Sequence, residues 1–133
     1  MGMNPAYLWS FLFRGYLFTV AVETPVLLVG LSPPHSWGRR VLAGIWLNAC
    51  SYPVVVLSLP LLLPNRPGYL LVAETFAALG EAGLFALAFH TRSMRRRDRL
   101  RDWITIILAN QASFLAGILI GHEFPSLAKW IGL

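Results

Sequence analysis

Four long apolar stretches constrain this chain more than any other feature of its sequence. Each has roughly the 17 to 25 residues that an α-helix needs to cross about 30 Å of hydrocarbon. Strands that cross a membrane would instead be about ten residues long with strict alternation, a pattern that these stretches lack. They lie at about 8–31, 41–63, 69–90 and 103–121.

The composition agrees with a chain whose solvent is lipid. Of the 133 residues, 56% are hydrophobic and only 13% are charged, which leaves too little polar surface to cover a soluble domain. The sequence therefore predicts an all-α membrane protein, with one domain over residues 1–133 that is a bundle of four transmembrane helices.

Basic residues are concentrated in the first and third connections between the apolar stretches. With four spans these two connections lie on one side of the membrane, and the positive-inside rule places them in the cytoplasm and both termini outside. Much Arg, Ala, Gly and Leu is typical of a GC-rich bacterial genome, so we expect a bacterial cytoplasmic (inner) membrane. The first connection carries Arg39 and Arg40, and the third carries Arg92, Arg95, Arg96, Arg97, Arg99 and Arg101.

The six arginines of the third connection resemble a phosphate-binding cluster in composition alone. They lack interleaved aromatic residues, and they lie between two membrane spans. We therefore predict that they contact anionic lipid headgroups or a partner protein, and we expect no nucleic-acid partner. A specific phosphate-bearing ligand is the alternative.

Three of the six acidic residues, Glu23, Glu74 and Glu81, fall within the predicted spans. Acidic residues in hydrocarbon are costly, face the protein interior and are functional candidates by default. At about 1.5 Å per residue from the basic end of each helix, two of the glutamates and two asparagines lie roughly 10 to 12 Å deep. Helical spacing adds two serines and the third glutamate to the same interior faces. The predicted ion- or substrate-binding residues are Glu23, Asn48, Ser51, Glu74, Glu81, Asn110 and Ser113.

The order of these residues indicates an internal repeat. In each half of the chain, a helix with a membrane glutamate is followed by a helix with the pattern Asn-x-x-Ser. Two helical hairpins with the same direction would form a parallel repeat about an axis along the membrane normal.

Two prolines lie beside the predicted site. Pro25 and Pro53 each deprive the carbonyl four residues earlier of its helical hydrogen bond. Free carbonyls near carboxylates and Asn amides are oxygen ligands for a hard cation, so a bound cation is the one cofactor that the sequence suggests. Interhelical hydrogen bonding without any ligand is the alternative role for these polar side chains.

The remaining polar residues suggest no second site. His35, His90 and His122 lie near helix ends without the spacing of a metal pair, and we expect them at the membrane interface. Cys50 lies within an apolar run and is expected to be a small core residue. Arg14 is expected to extend outward along the first helix, with an ion pair to a neighbouring subunit as the alternative.

Three functional hypotheses follow, and the sequence does not decide between them. The first is a cation- or proton-coupled transport or channel module, which would need a homo-oligomer formed through the small residues of the fourth helix. The second is a non-catalytic subunit or assembly factor of a larger membrane complex. The third is an intramembrane enzyme acting on a lipid-linked phosphate, which no nucleophile pair or metal motif supports. The small residues are Thr105, Ala109, Ser113, Gly117 and Gly121.

Overall fold

The computed structural model describes residues 5–58 and 66–131, which form helices joined by short connections. Four of the helical segments are long and apolar enough to cross a membrane. The prediction of an all-α bundle with four transmembrane helices is confirmed. The helices are α1 (Pro5–Gly30), α2 (Trp37–Pro53, continued by a π-helical segment, Val54–Ser58), α3 (Arg66–Phe89), α4 (Arg96–Glu123) and α5 (Pro125–Ile131).

All four long helices begin earlier than their apolar stretches, α2 and α4 by the most. At about 1.5 Å per residue, the 28 residues of α4 are longer than the hydrocarbon is thick, so its polar first turns extend beyond it. In α2, the Ser36 side chain accepts a hydrogen bond from the Arg39 backbone N–H and caps the helix. Hydropathy marks only the apolar part of a helix, which explains both differences. The predicted end of the second helix, at 63, lies outside the described residues.

The four long helices form a ring in chain order. Both α1 and α3 pack against α2 and α4, so α1 and α3 occupy opposite corners of the bundle. The connections 31–36 and 90–95 lie together at one end, which we call the basic end. The short helix α5 packs against α4 and α1 at the opposite end.

Arg14 lies near that opposite end, where it has a partner within the chain. Its guanidinium donates a hydrogen bond to the Trp130 carbonyl oxygen (2.6 Å) and lies 5.4 Å from the centre of the Trp130 ring. The arginine therefore attaches α5 to α1.

Apolar side chains cover the lipid-facing surfaces and form a separate core in the basic half of the bundle. Exposed residues include Leu87, which is 86% exposed, and Val29, which is 77% exposed. Such exposure is unfavourable in water but neutral in lipid. The core consists of Leu27, Leu31, Ala43, Leu47, Ala82, Phe85, Ile106 and Ala109.

The small residues of α4 pack inside the bundle rather than on its surface. Thr105 and Ala109 are buried, and a Cβ atom added to Gly30 of α1 would lie 2.4 Å from Thr105 Cγ2. In its basic half, this ridge joins α4 to α1 and is not available to a second subunit. The expectation that it forms a subunit interface is therefore wrong for that half.

Gly44 permits an equally close approach between α1 and α2. A Cβ atom at this position would lie 2.3 Å from Thr24 Oγ1 and 3.3 Å from Thr24 Cα. The hydroxyl could rotate away, but the backbone carbon could move only if the two helices separated.

We expect Gly44→Ala to lower the free energy of unfolding by about 1 to 3 kcal/mol, because the added methyl group overpacks the α1–α2 contact. Unfolding in detergent followed by circular dichroism measures this change. The matched control is Gly80→Ala in α3, where an added Cβ meets nothing within 4 Å. Equal stability of the two variants would contradict the close approach.

Candidate functional site

Glu23 of α1 lies in the middle of the bundle and is bound from both neighbouring helices. Asn48 of α2 donates its amide N–H to Oε2 (2.9 Å), and Ser113 of α4 donates its hydroxyl to Oε1 (2.6 Å). The glutamate is 1% exposed. Its carboxyl group therefore joins three helices.

Glu81 of α3 has the same arrangement from the opposite corner. Asn110 of α4 donates to Oε2 (3.0 Å), and the Ser51 hydroxyl of α2 donates to Oε1. Glu81 is also 1% exposed. The two glutamates together hold all four helices through one polar layer.

The two halves of this layer are related by a pseudo-twofold pattern. In each hairpin the asparagine binds the glutamate of its own hairpin, and the serine three residues later binds the glutamate of the other. The contacts are consistent with the predicted repeat. They also show why the spacing Asn-x-x-Ser occurs twice: one helical turn separates the in-hairpin contact from the cross-hairpin contact.

The orientation of both asparagine amides follows from their hydrogen bonds. Each Nδ2 also donates to the carbonyl four residues earlier, Asn48 to Gly44 (3.0 Å) and Asn110 to Ile106 (3.1 Å). An amide oxygen in the same position would face two acceptors. The nitrogen must therefore point at the carboxylate, which is surrounded by donors.

Ser113 can form a hydrogen bond with Glu23 in either protonation state of the carboxyl group. Its hydroxyl oxygen lies 2.6 Å from Glu23 Oε1 and 2.9 Å from the Asn110 carbonyl oxygen, and it has a single proton to donate. When Glu23 is ionised, the hydroxyl donates to the carboxylate. When Glu23 is protonated, the acid can donate to Ser113, whose proton then turns to the Asn110 carbonyl. Neither state requires a heavy atom to move.

Glu74, the seventh predicted site residue, lies apart from this layer. It is half-buried on α3, towards the end opposite the basic end. It lines a cavity of about 290 Å³ that also touches Ser113. It also lines a groove of about 540 Å³ between α3 and α4. Glu74 therefore stands between the flank of the bundle and the polar layer.

The two prolines have different surroundings. Pro25 lies on an exposed face of α1, which remains helical through it. Pro53 ends the α-helical part of α2, and the segment after it is π-helical. Single π-helical turns are frequent at functional sites. The role predicted for the freed carbonyls, as cation ligands, stays a prediction.

The basic end contains a second polar cluster that the sequence analysis missed. Asp102 of α4 is fully buried, and its Oδ2 atom lies 2.9 Å from His35 Nε2 and 3.1 Å from His90 Nε2. Ser32 donates its backbone N–H to Oδ1 (2.8 Å). His35 is 2% exposed and is buried within this cluster, whereas His122 is exposed; the prediction that the histidines lie at the membrane interface stays a prediction. The three side chains come from separate segments, so no spacing pattern links them in the sequence. The one available signal was Asp102, an acidic residue next to the start of the fourth apolar stretch.

Several arginines at this end bind main-chain carbonyls. Arg40 donates to the carbonyl oxygens of Ser32 (3.1 Å) and His35 (3.0 Å), and Arg101 donates to that of Gly30 (2.7 Å). They stabilise the end of α1, whose last carbonyls lack helical partners.

The other arginines of the third connection differ in their availability. Arg99 donates to the carbonyl oxygens of Arg92 and Met94. Arg96 begins α4, so four of the six arginines of the third connection lie within that helix rather than in a loop. Those with exposed side chains, which remain candidates for headgroup contact, are Arg92, Arg95, Arg96, Arg97 and Arg101.

No known protein family, curated protein or solved structure matches this chain.

We expect side chains of the polar layer that share a hydrogen bond to couple more strongly than those that share none. In a double-mutant cycle, Asn48→Ala and Glu23→Ala should show a coupling of about 0.6 to 2 kcal/mol, typical of an interhelical hydrogen bond in a membrane protein. The cycle of Asn48→Ala with Glu81→Ala should give a smaller value, because these two side chains share no hydrogen bond. Unfolding in bicelles measures both. Equal coupling in the two cycles would contradict the pairing.

Proposed function

We propose that the protein is a proton-coupled membrane transport module in which Glu23 and Glu81 take up and release protons at the centre of the bundle. The observation that carries this proposal is the hydrogen bonding of Ser113, which fits both the ionised and the protonated state of Glu23. A group that exchanges protons without rearranging its neighbours is suited to repeated cycles.

The donors around both carboxylates favour a proton over a metal cation. Asparagine N–H groups and serine hydroxyls point at the carboxylate oxygens. A cation would need acceptor oxygens in those positions. Two buried carboxylates close together cannot both remain ionised without compensation, so protonation of at least one is the simplest way to neutralise the layer.

Glu74 supplies a route to this layer from the end opposite the basic end. It lines the cavity that reaches Ser113 and the groove between α3 and α4. A carboxyl facing lipid is costly, so the proposal includes a homo-oligomer in which a second copy covers the groove.

Glutamine variants test the proposal sharply, because glutamine has the shape of a protonated glutamate but cannot exchange its proton. We expect Glu23→Gln and Glu81→Gln each to abolish proton uptake by liposomes that contain the purified protein, a pH-sensitive dye and an imposed membrane potential. The folded state should survive, since the neighbouring serine hydroxyl, Ser113 for Glu23 and Ser51 for Glu81, can accept from the new amide.

The matched control for this experiment is Glu123→Gln, since the Glu123 side chain is 62% exposed. It should retain the wild-type rate. Full proton uptake by the Glu23 and Glu81 variants would sink the proposal. Absence of uptake by the wild type, with copurification of one other membrane protein, would instead favour a subunit of a larger complex.

We also propose that the basic end faces the cytoplasm of a bacterial cell, because the arginines in its two connections follow the positive-inside rule. In a chain with Cys50→Ala, Ser93→Cys should react with an impermeant maleimide only after permeabilisation. Ser126→Cys, at the other end of the bundle, should react in intact cells. Both positions are exposed. The reverse pattern would show the opposite orientation.

A further inference from the structure

We propose that His35, His90 and Asp102 form a binding site for a divalent first-row transition-metal ion of the Zn²⁺ class. The three side chains come from the connection after α1, the end of α3 and the second turn of α4. Their potential ligand atoms, two imidazole Nε2 and one carboxylate oxygen, lie within 4.8 Å of one another. Two histidines and one carboxylate with an open position are a common ligand set for such ions.

The separations between the ligand atoms are close to those of a metal centre. With metal–ligand bonds of about 2.0 Å, neighbouring ligand atoms of a tetrahedral site lie roughly 3.3 Å apart. Asp102 Oδ2 lies 2.9 Å from His35 Nε2 and 3.1 Å from His90 Nε2. These two oxygen–nitrogen separations would therefore need to widen by only a few tenths of an ångström to admit the ion. Each imidazole can stay neutral by carrying its proton on Nδ1 instead of Nε2.

The surroundings of Asp102 resemble those of a metal ligand. Its second oxygen is held by the Ser32 backbone N–H (2.8 Å), which leaves Oδ2 for monodentate binding. Asp102 lies in a segment rich in arginine. Among the described residues, however, its side-chain partners are two imidazoles and a backbone N–H rather than an arginine. The nearby Arg40 and Arg101 are bonded to main-chain carbonyls.

Two buried polar atoms next to the cluster lack partners among the described residues. They are Ser32 Oγ and His35 Nδ1, which lie on one turn closed by the hydrogen bond from His35 N to the Ser32 carbonyl (3.1 Å). A buried polar atom without a partner is costly. Metal binding would place a proton on His35 Nδ1, which has no hydrogen-bond acceptor among the described residues in this conformation.

The cluster is dry on its inner side and reachable from the basic end. The His35 and His90 rings contact the buried Phe85 ring edge to face, with centres 4.9 Å and 5.8 Å away. His35 and Asp102 side chains are fully buried, whereas that of His90 is 10% exposed. An ion would therefore enter past His90, and a water or exogenous ligand could complete its coordination there.

Isothermal titration of untagged, chelator-treated protein with Zn²⁺ alone tests the site. We expect the wild type to bind one Zn²⁺ per chain. His90→Ala, at the edge of the cluster, should lower the affinity at least about tenfold. Asp102→Asn should do the same, and circular dichroism checks that each variant is folded. If Asp102→Asn fails to fold, His90→Ala still decides the test, because replacing a partly exposed side chain should disturb the fold less.

The matched control is His122→Ala, which removes an exposed histidine that also lies 2.9 Å from a carboxylate, that of Glu123. It should bind Zn²⁺ like the wild type. Co²⁺ should give the visible absorption of a four- or five-coordinate centre in the wild type and in this control only. The proposal fails if the wild type does not bind Zn²⁺, or if His90→Ala binds it as tightly as the wild type.

Discussion

The burial of two carboxyl groups in a lipid-embedded bundle is the constraint on which this structure depends. Apolar side chains pack against lipid about as well as against one another, so they do little to fix how four helices are arranged. A buried carboxyl group must instead find donors at defined positions. Glu23 and Glu81 each find them on both α2 and α4. These contacts fix the depth and rotation of all four helices at once.

The symmetry of this layer makes the departures from symmetry informative. Seven residues before Glu81, α3 carries Glu74, whereas seven residues before Glu23, α1 carries Tyr16. The Tyr16 hydroxyl donates to the Ile45 carbonyl (2.9 Å) and so joins α1 to α2. Glu74 instead lines open space. Under the proposed function, the repeat would supply the scaffold twice and the route past Glu74 only once.

What the sequence could predict depended on the range of the interactions. The shared depth and face of Glu23, Asn48, Glu81 and Asn110 follow from helix rise and periodicity, which are local properties. The contact of His35 and His90 with Asp102 depends on how two connections and a helix start meet in space, and no periodicity encodes that. The arginines illustrate a third case, since their charge indicated an orientation but not that Arg40 and Arg101 would bind the end of α1.

The region between the two polar clusters bears on the proposed transport cycle. Leu27, Leu47, Phe85 and Ile106 are buried between the glutamate layer and the basic end, and they leave the glutamates without an evident polar route to His35 and Asp102. In the half of the bundle away from the basic end, a cavity is lined by Glu74 and Ser113. In alternating access, a central site opens to one side at a time. Under the proposed function, this conformation would correspond to the state in which the glutamate layer is reached from the half away from the basic end, and a cycle would require the apolar layer around Phe85 to separate.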